Sequence, residues 1–263
     1  MFLLSSSSCE TLSVQALIAH VSRHRRFLRL VLVAGISLTS VDVVDAHHGR
    51  DFLVARTAEL PHARQVFVVP RQDVVKNDHA AGIEVEPSLI AGATDWLALE
   101  VHSHIEKQPH EAFRYESTAA AIHFGVMPPE HSWAAGASVE YEVGHVADKP
   151  DRLEGQFVLS RSTDVMRLAL NVIGEHDGPS REHDASTGVR WNYALAVRRR
   201  LADKLDWGME GQGSLHDSSG HELLFGIYTE PTAHLTVNVG AGTGLSRNGP
   251  DFTLRTALVW QLR

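Results

Sequence analysis

Ionisable side chains recur at every second position in several segments of this chain. In residues 96–106, Glu100, His102, His104 and Glu106 would share one face of an extended strand, because successive side chains point to opposite faces. Carboxylates and imidazoles form hydrogen bonds, pair with cations and bind metals. The spacing therefore predicts rows of chemically capable side chains along one face of a sheet.

The same alternation in other segments gives a set of candidate residues for the lining of a barrel lumen. One interpretation is a structural network of paired acids and bases that fills a narrow barrel. The other is a lining that selects a solute and, because acids predominate, favours cations over anions. The candidates are Glu84, Glu86, Glu100, His102, His104, Glu106, Glu140, Glu142, Arg190, Arg198 and Glu210.

Histidine is unusually frequent, at 17 of 263 residues. Imidazoles in loops could capture Zn, Cu or Ni, but no histidine spacing matches a helical or knuckle metal motif. We therefore expect no metal site and no cofactor, although His102 and His104, two apart on one strand, could supply two ligands. Seven histidines fall in or beside the predicted long loops: His79, His110, His145, His176, His183, His216 and His221.

Catalytic arrangements are missing from the pattern. His102 and Ser103 are adjacent, so on a strand they face opposite sides, which spoils a histidine–serine pair. The glycine-rich stretch at residues 240–244 lacks the lysine and the following helix of a phosphate loop. We expect no catalytic residues and no enzymatic activity.

The composition excludes several classes of protein. A formal charge of −8 and a pI near 6.1 argue against a nucleic-acid partner. A single cysteine excludes a disulfide-stapled fold. The longest uncharged apolar run, residues 30–41, is shorter than the roughly 18 residues that a membrane-spanning helix needs.

The first 46 residues have the features of an export signal. Arginines between residues 23 and 29 precede the apolar run, and Val44 and Ala46 stand at −3 and −1 of a cleavage site. We predict that residues 1–46 are a cleavable signal peptide with an extension before the true translation start. Residues 47–62 would then be a short N-terminal periplasmic segment, and residues 63–263 the folded domain.

The folded domain alternates with period two throughout, which predicts about twelve strands. Tight turns at one end would alternate with longer polar loops at the other, and an even strand number returns both termini to one end. The predicted strands are 64–76, 82–91, 96–106, 113–127, 132–143, 153–163, 165–174, 187–200, 205–215, 221–229, 234–245 and 251–262.

This pattern favours an all-β, up-and-down antiparallel transmembrane β-barrel over a soluble barrel or sandwich. The export signal, the asymmetry of the connections and tryptophans near strand ends (Trp96, Trp133, Trp207 and Trp260) decide the choice. One strand breaks the alternation, since Arg114 shares parity with Ile122. A bulge between Ser117 and Ala121 would restore the register.

The chain resembles the outer-membrane barrel family typified by the MetA-like proteins of phenol-degradation pathways, whose members are labelled as transporters. The resemblance rests on Glu59-Leu60-Pro61, on the turn at residues 92–97 and on the closing segment 254–263, and it would span residues 59–263. Such barrels commonly end on an aromatic residue, whereas this chain ends Leu262-Arg263. The motifs are architectural, and the resemblance implies a barrel and a role in transport.

The expectation from sequence is a monomeric barrel in the outer membrane of a Gram-negative cell, acting as a passive channel or transport-associated protein for a small solute. The alternative is a non-conducting structural or surface-binding barrel that captures transition metal through its loop histidines. The expected partners are outer-membrane lipid, the barrel-assembly machinery and an unidentified small solute.

Overall fold

The structure, a computed structural model, describes residues 50–77, 80–126, 132–179, 188–216, 220–246 and 249–262. The predicted signal peptide and its cleavage site lie outside the described residues. The strands are β1 Val66–Asn77, β2 Ala80–Thr94, β3 Leu97–Lys107, β4 Arg114–Val126, β5 Trp133–Gly144, β6 Arg152–Ser162, β7 Met166–Asp177, β8 Arg190–Ala202, β9 Leu205–Ser214, β10 Glu222–Thr232, β11 Leu235–Gly244 and β12 Phe252–Leu262.

These twelve strands form a closed barrel in which each strand pairs antiparallel with the next, and β12 pairs with β1. The up-and-down barrel predicted from the sequence is confirmed, and most strand bounds fall within a few residues of the prediction. Among the described residues, no helix is long and apolar enough to cross a membrane.

The barrel wall has its apolar face outward and its charged face inward. Val101, Val139 and Leu195 are about half exposed on the outer face. Glu100 and Glu210 are almost fully buried, although neighbouring positions on their strands face outward. A soluble barrel would have the opposite polarity, with an apolar interior and charges in water. The soluble alternative is therefore wrong, and the outer face is suited to lipid.

Exposed aromatic residues lie where the strands reach the short-turn end. Trp96 precedes β3 and stacks on Phe124 near the end of β4, with the ring centroids 6.4 Å apart. Trp133 opens β5, and Trp260 lies near the end of β12. Amphipathic aromatic rings concentrate at membrane–water interfaces. This ring of residues therefore marks one edge of the apolar belt.

The irregularity expected in β4 is a bulge, and it lies slightly earlier than predicted. His104 of β3 pairs with Ser117, whereas Ile105 pairs with Tyr115, so β4 has one extra residue at Glu116. As a result, Glu116 and Ser117 are both buried although they are consecutive. The bulge restores the alternation of the rest of β4.

The outward apolar face gives the first prediction, since a charge at mid-strand would have to enter lipid. We expect Leu195→Arg, near the middle of β8, to lower the free energy of unfolding in lipid vesicles by about 2–4 kcal/mol. Leu201→Arg lies on the same face of β8 at its short-turn end, where the same change costs about 0–1 kcal/mol. Denaturant titration of both variants measures the difference. Equal losses would contradict the placement of this face in lipid.

Candidate functional site

The sequence-predicted lining residues all lie on the inner face of the barrel, but at different depths. The buried members are Glu86, Glu100, His102, Glu142, Arg198 and Glu210. Partly buried members are Glu84, His104, Glu106 and Glu140. Arg190 is exposed at the beginning of β8, where it pairs with Glu175 and Asp177.

The middle of the lumen is occupied by the chain itself. Residues 50–60, which we call the plug segment, precede β1 and contact inner-face residues of strands on opposite sides of the barrel. The contacts of residues 50–60 correct the expectation that residues 47–62 are a periplasmic segment, and no local pattern in the sequence indicates them. The candidate site is therefore the lumen together with the plug segment.

The central anchor of the plug segment is Glu210 on β9. Its Oε1 accepts a hydrogen bond from the backbone N–H of Leu53 at 2.6 Å. Its Oε2 accepts from the N–H groups of Val54 and Ala55 at 2.7 and 3.1 Å. The hydroxyl of Tyr228 donates to Oε1 at 2.6 Å. One buried carboxylate thus satisfies three successive backbone donors, which are obligatory hydrogen-bonding groups.

Two glycines, Gly226 and Gly208, leave the space that the Tyr228 side chain occupies when it contacts Glu210. A Cβ on Gly226 would lie 2.5 Å from the Tyr228 hydroxyl oxygen, and one on Gly208 would lie 3.0 Å from its ring. The ring also meets Phe52 of the plug segment edge-to-face, with centroids 6.0 Å apart. Both glycines therefore make room for the tyrosine that supports Glu210.

Other wall residues bind the backbone of the plug segment further along. The side chain of Asn171 accepts from the Arg56 N–H at 2.7 Å and donates to the Arg56 carbonyl at 2.9 Å. The Ala58 N–H donates to Ser160 Oγ at 3.1 Å, and the Ser162 hydroxyl donates to Glu59. Anchors on β6, β7 and β9 together hold the segment across the lumen.

Charged groups of the plug segment pair with the wall. Glu100, whose side chain is fully buried, contacts Arg50 and accepts from Arg56 Nη1 at 2.8 Å. Burial lowers the pKa of Arg56, but the carboxylates of Glu100 and Glu140 raise it by more, so its net pKa lies above the usual arginine value. The guanidinium is therefore charged inside the barrel.

Asp51 makes the corresponding contacts on the other side of the lumen. Its carboxylate pairs with Arg167 of β7 and accepts from the Thr57 hydroxyl at 2.8 Å. Its backbone carbonyl accepts from Arg198 Nη1 at 3.2 Å. The segment is thus bound through charges of both signs.

Small residues on the wall make space for the plug segment. Phe52 and Leu53 pack against Ala169, Ala194 and Ala196, in one buried cluster. Near residues 56–60, a cavity of about 20 Å³ remains between the segment and the wall. That volume holds about one water molecule. The segment therefore packs closely against this part of the wall.

Ion pairs outside the predicted set of lining residues also line the lumen beyond the plug segment. Arg71 of β1 contacts Glu86 Oε2 at 2.5 Å, and Arg255 of β12 donates to Asp73 Oδ2 at 2.9 Å. Their period-two spacing was the available signal, since Arg71 and Asp73 alternate with outward residues of β1. Glu222 of β10 also lies on this face and is buried.

A cavity of about 490 Å³ opens on the inner face at the short-turn end of the barrel. It contains charges of both signs, so it is a polar vestibule beside the plug segment. Its lining residues are Ser162, Thr163, Asp164, Arg167, Arg198, Arg200, Asp203, Lys204, Asp206 and Glu230.

The described loop histidines do not come together as metal ligands. His145 stacks on Tyr115, and His221 lies 3.0 Å from the Tyr193 hydroxyl. Within the part of the chain that the structure describes, the groups able to hold a metal ion are Glu84–Glu86–His104 and Glu86–Glu100–His102, both in the lumen. His79 and His183 lie outside the described residues.

His102 and Ser103 face opposite sides, as their adjacency predicts. His102 is buried in the lumen. Ser103 Oγ lies 3.5 Å from the Tyr115 hydroxyl, which is exposed. The two side chains are therefore separated by the barrel wall.

No protein-family model and no curated protein matches this chain. Several solved structures do share its fold. An outer-membrane channel from Pseudomonas putida F1 is 14% identical, with a TM-score of 0.57 over 85% of this chain and 100% of that one. The KdgM porin in complex with disordered oligogalacturonate is 10% identical, with a TM-score of 0.55 over 75% of this chain and 99% of that one. The NanC porin is 10% identical, with a TM-score of 0.53 over 74% of this chain and 100% of that one.

At these identities the likeness concerns the fold. The architecture is that of outer-membrane barrel channels and porins, which agrees with the broad barrel family expected from the sequence.

Proposed function

We propose that this protein is an outer-membrane channel for a small solute, and that the plug segment controls passage through its lumen. The observation that carries the proposal is how the plug segment is bound. Its backbone is held by separate hydrogen bonds to the wall, above all at Glu210, and its charged side chains by ion pairs. Each such bond contributes only about 0.5–1.5 kcal/mol net, or about 1.5–3 kcal/mol to a charged group. Water and solute can replace contacts of this kind.

The charges of the lumen favour a neutral or cationic solute. Glu84, Glu140 and Glu154 are all partly accessible on the inner face. A row of carboxylates in a narrow pore attracts cations and repels anions. The oligogalacturonate bound by the KdgM porin is a polyanion, so we do not extend that ligand to this chain.

The proposal also includes the transport role, the export signal and the partners expected from the sequence. We propose a transport role of the kind that the sequence resemblance to the MetA-like proteins of phenol-degradation pathways implies. A cleavable signal would deliver the chain to the barrel-assembly machinery, and the apolar belt would contact outer-membrane lipid.

A specific observation also favours the second candidate, a non-conducting barrel. Glu210 accepts four hydrogen bonds in a buried position, and the cavity between residues 56–60 and the wall holds about one water. A segment held this firmly would close the lumen permanently. Conductance measurements separate the two candidates.

The anchor at Glu210 gives a prediction for conductance in planar lipid bilayers. Glu210→Gln keeps the shape of the side chain but loses the charge and one acceptor oxygen. We expect the ratio of open to closed time to rise at least about tenfold, which corresponds to about 1.4 kcal/mol. The matched control is Glu175→Gln on β7, which pairs with Arg190 and not with the plug segment.

Two outcomes would decide against the gated channel. If a folded barrel lacking residues 50–60 conducts no ions, the proposal is wrong and the non-conducting barrel is correct. If that barrel conducts but Glu210→Gln gates like Glu175→Gln, the anchor does not control passage. Mobility on gels with and without boiling identifies the folded barrels in each preparation.

The acidic lining predicts cation selectivity. The measurement is made in the Glu210→Gln background with a chelator present. In dilute KCl, we expect Glu84→Gln combined with Glu140→Gln to lower the K⁺/Cl⁻ permeability ratio at least about twofold. The effect should shrink in concentrated salt, where charges are screened within about 3 Å at 1 M. Reversal potentials across a KCl gradient give the ratio. Glu111→Gln, in an exposed loop, is the control, and an equal change in both would refute this lumen assignment.

A further inference from the structure

Strands β2 and β3 bring metal-ligating side chains together in the lumen, and one ligand atom among them has no hydrogen-bond partner among the described residues. Glu86, Glu100 and His102 each offer one ligand atom, and these atoms lie within 4.8 Å of one another. All three residues are buried. A neighbouring group combines Glu84, Glu86 and His104, but there the His104 Nδ1 already lies 2.9 Å from Glu84 Oε1. The first group is therefore the one with a ligand atom to spare.

That spare atom is Nδ1 of His102. The side chain is 4% exposed, and Nδ1 has no hydrogen-bond partner among the described residues. Glu100 Oε1 lies 3.8 Å from it. Ser88, which pairs with His102 across the two strands, also has a buried hydroxyl oxygen without a partner there. Buried polar atoms without partners are rare in native proteins, and each calls for a ligand or another explanation.

The other nitrogen of His102 also faces a carboxylate. Its Nε2 lies 3.4 Å from Glu140 Oε1. Metal-ligating histidines usually donate their second N–H to a carboxylate, which fixes the ring and makes the ligating nitrogen more basic. The Nε2 side of the ring thus faces Glu140, and Nδ1 lies on the side of Glu100.

In both Glu86 and Glu100, one carboxylate oxygen pairs with one arginine, and the other oxygen faces Arg50. Glu86 Oε2 is held by Arg71 at 2.5 Å, and Glu100 Oε2 by Arg56 at 2.8 Å. The two Oε1 atoms both face Arg50 of the plug segment, whose Nη2 contacts Glu100 and lies 3.7 Å from Glu86. A cation replacing Arg50 would take both Oε1 atoms without disturbing the other two pairs.

We propose that Glu86, Glu100 and His102 bind a divalent transition metal, and that this metal competes with Arg50 for the two carboxylates. One imidazole and two carboxylates match the ligands of Zn²⁺, and a water or the Ser88 hydroxyl would be the fourth. Binding exchanges one positively charged group for another, so the buried acids stay neutralised. It also removes one contact between the plug segment and the wall.

The test uses the untagged, full-length barrel, folded in detergent and stripped with a chelator. Zn²⁺ affinity is measured by competition with a chromophoric zinc chelator. We expect His102→Ala to weaken binding at least about tenfold, because a ligand is lost. His234→Ala, in an exposed turn, is the matched histidine control and should leave the affinity unchanged.

A variant that should bind Zn²⁺ more tightly distinguishes loss of the site from loss of folding. Arg50→Gln removes the competing guanidinium and should tighten Zn²⁺ binding about tenfold, a result that a misfolded barrel cannot give. The site is refuted if the wild type binds no Zn²⁺, or if folded His102→Ala binds as well as His234→Ala. If His102→Ala does not fold, Glu86→Gln takes its place with the same expected loss. Unchanged affinity in Arg50→Gln refutes the competition.

This inference is separate from the proposed channel, because zinc affinity is measured at equilibrium in detergent without ion flow. A barrel that never conducts could still bind the metal. A conducting barrel without zinc affinity would refute the site alone.

Discussion

The structure depends on the requirement that every backbone N–H and C=O in lipid find a partner within the protein. The twelve strands meet it by closing, with β12 hydrogen-bonded to β1. Closure leaves one face of every strand for lipid, so that face must be apolar. Charged side chains of the membrane-spanning strands must then point into the lumen. The crowding of carboxylates and guanidinium groups in the lumen therefore follows from the demands of the outer face.

Inside, these charges need partners, and strands alone do not supply enough of them. Glu210 has no cation within hydrogen-bonding distance among the described residues and is satisfied by three backbone N–H groups and one hydroxyl. Those N–H groups belong to a segment without regular secondary structure, whose donors are unused by any strand. The backbone donors of the plug segment and the carboxylate acceptors of the wall thus satisfy each other's hydrogen bonds. This reciprocity explains why an irregular stretch of chain can be stable in the centre of a barrel.

Sequence periodicity predicted the wall well, because alternation is a local property. It identified the strands, the inward direction of Glu100 and His102, and a bulge in β4. It missed the plug segment because the contacts that hold it join distant parts of the chain. Leu53 and Glu210 are 157 positions apart, and Arg56 and Asn171 are 115 apart. The available hint was the small size of inward residues such as Ala194, which leave a lumen that something else must fill.

The sequence separation of the plug contacts also predicts an order of events during folding. The plug segment precedes β1, yet its central anchors, Glu210 and Tyr228, lie on β9 and β10. Contacts between distant parts of a chain form late, because the intervening loop must be closed first. We expect the anchors to come together only after most of the wall has been built. The plug segment is therefore the first part of the described chain to be synthesised and among the last to reach its native contacts.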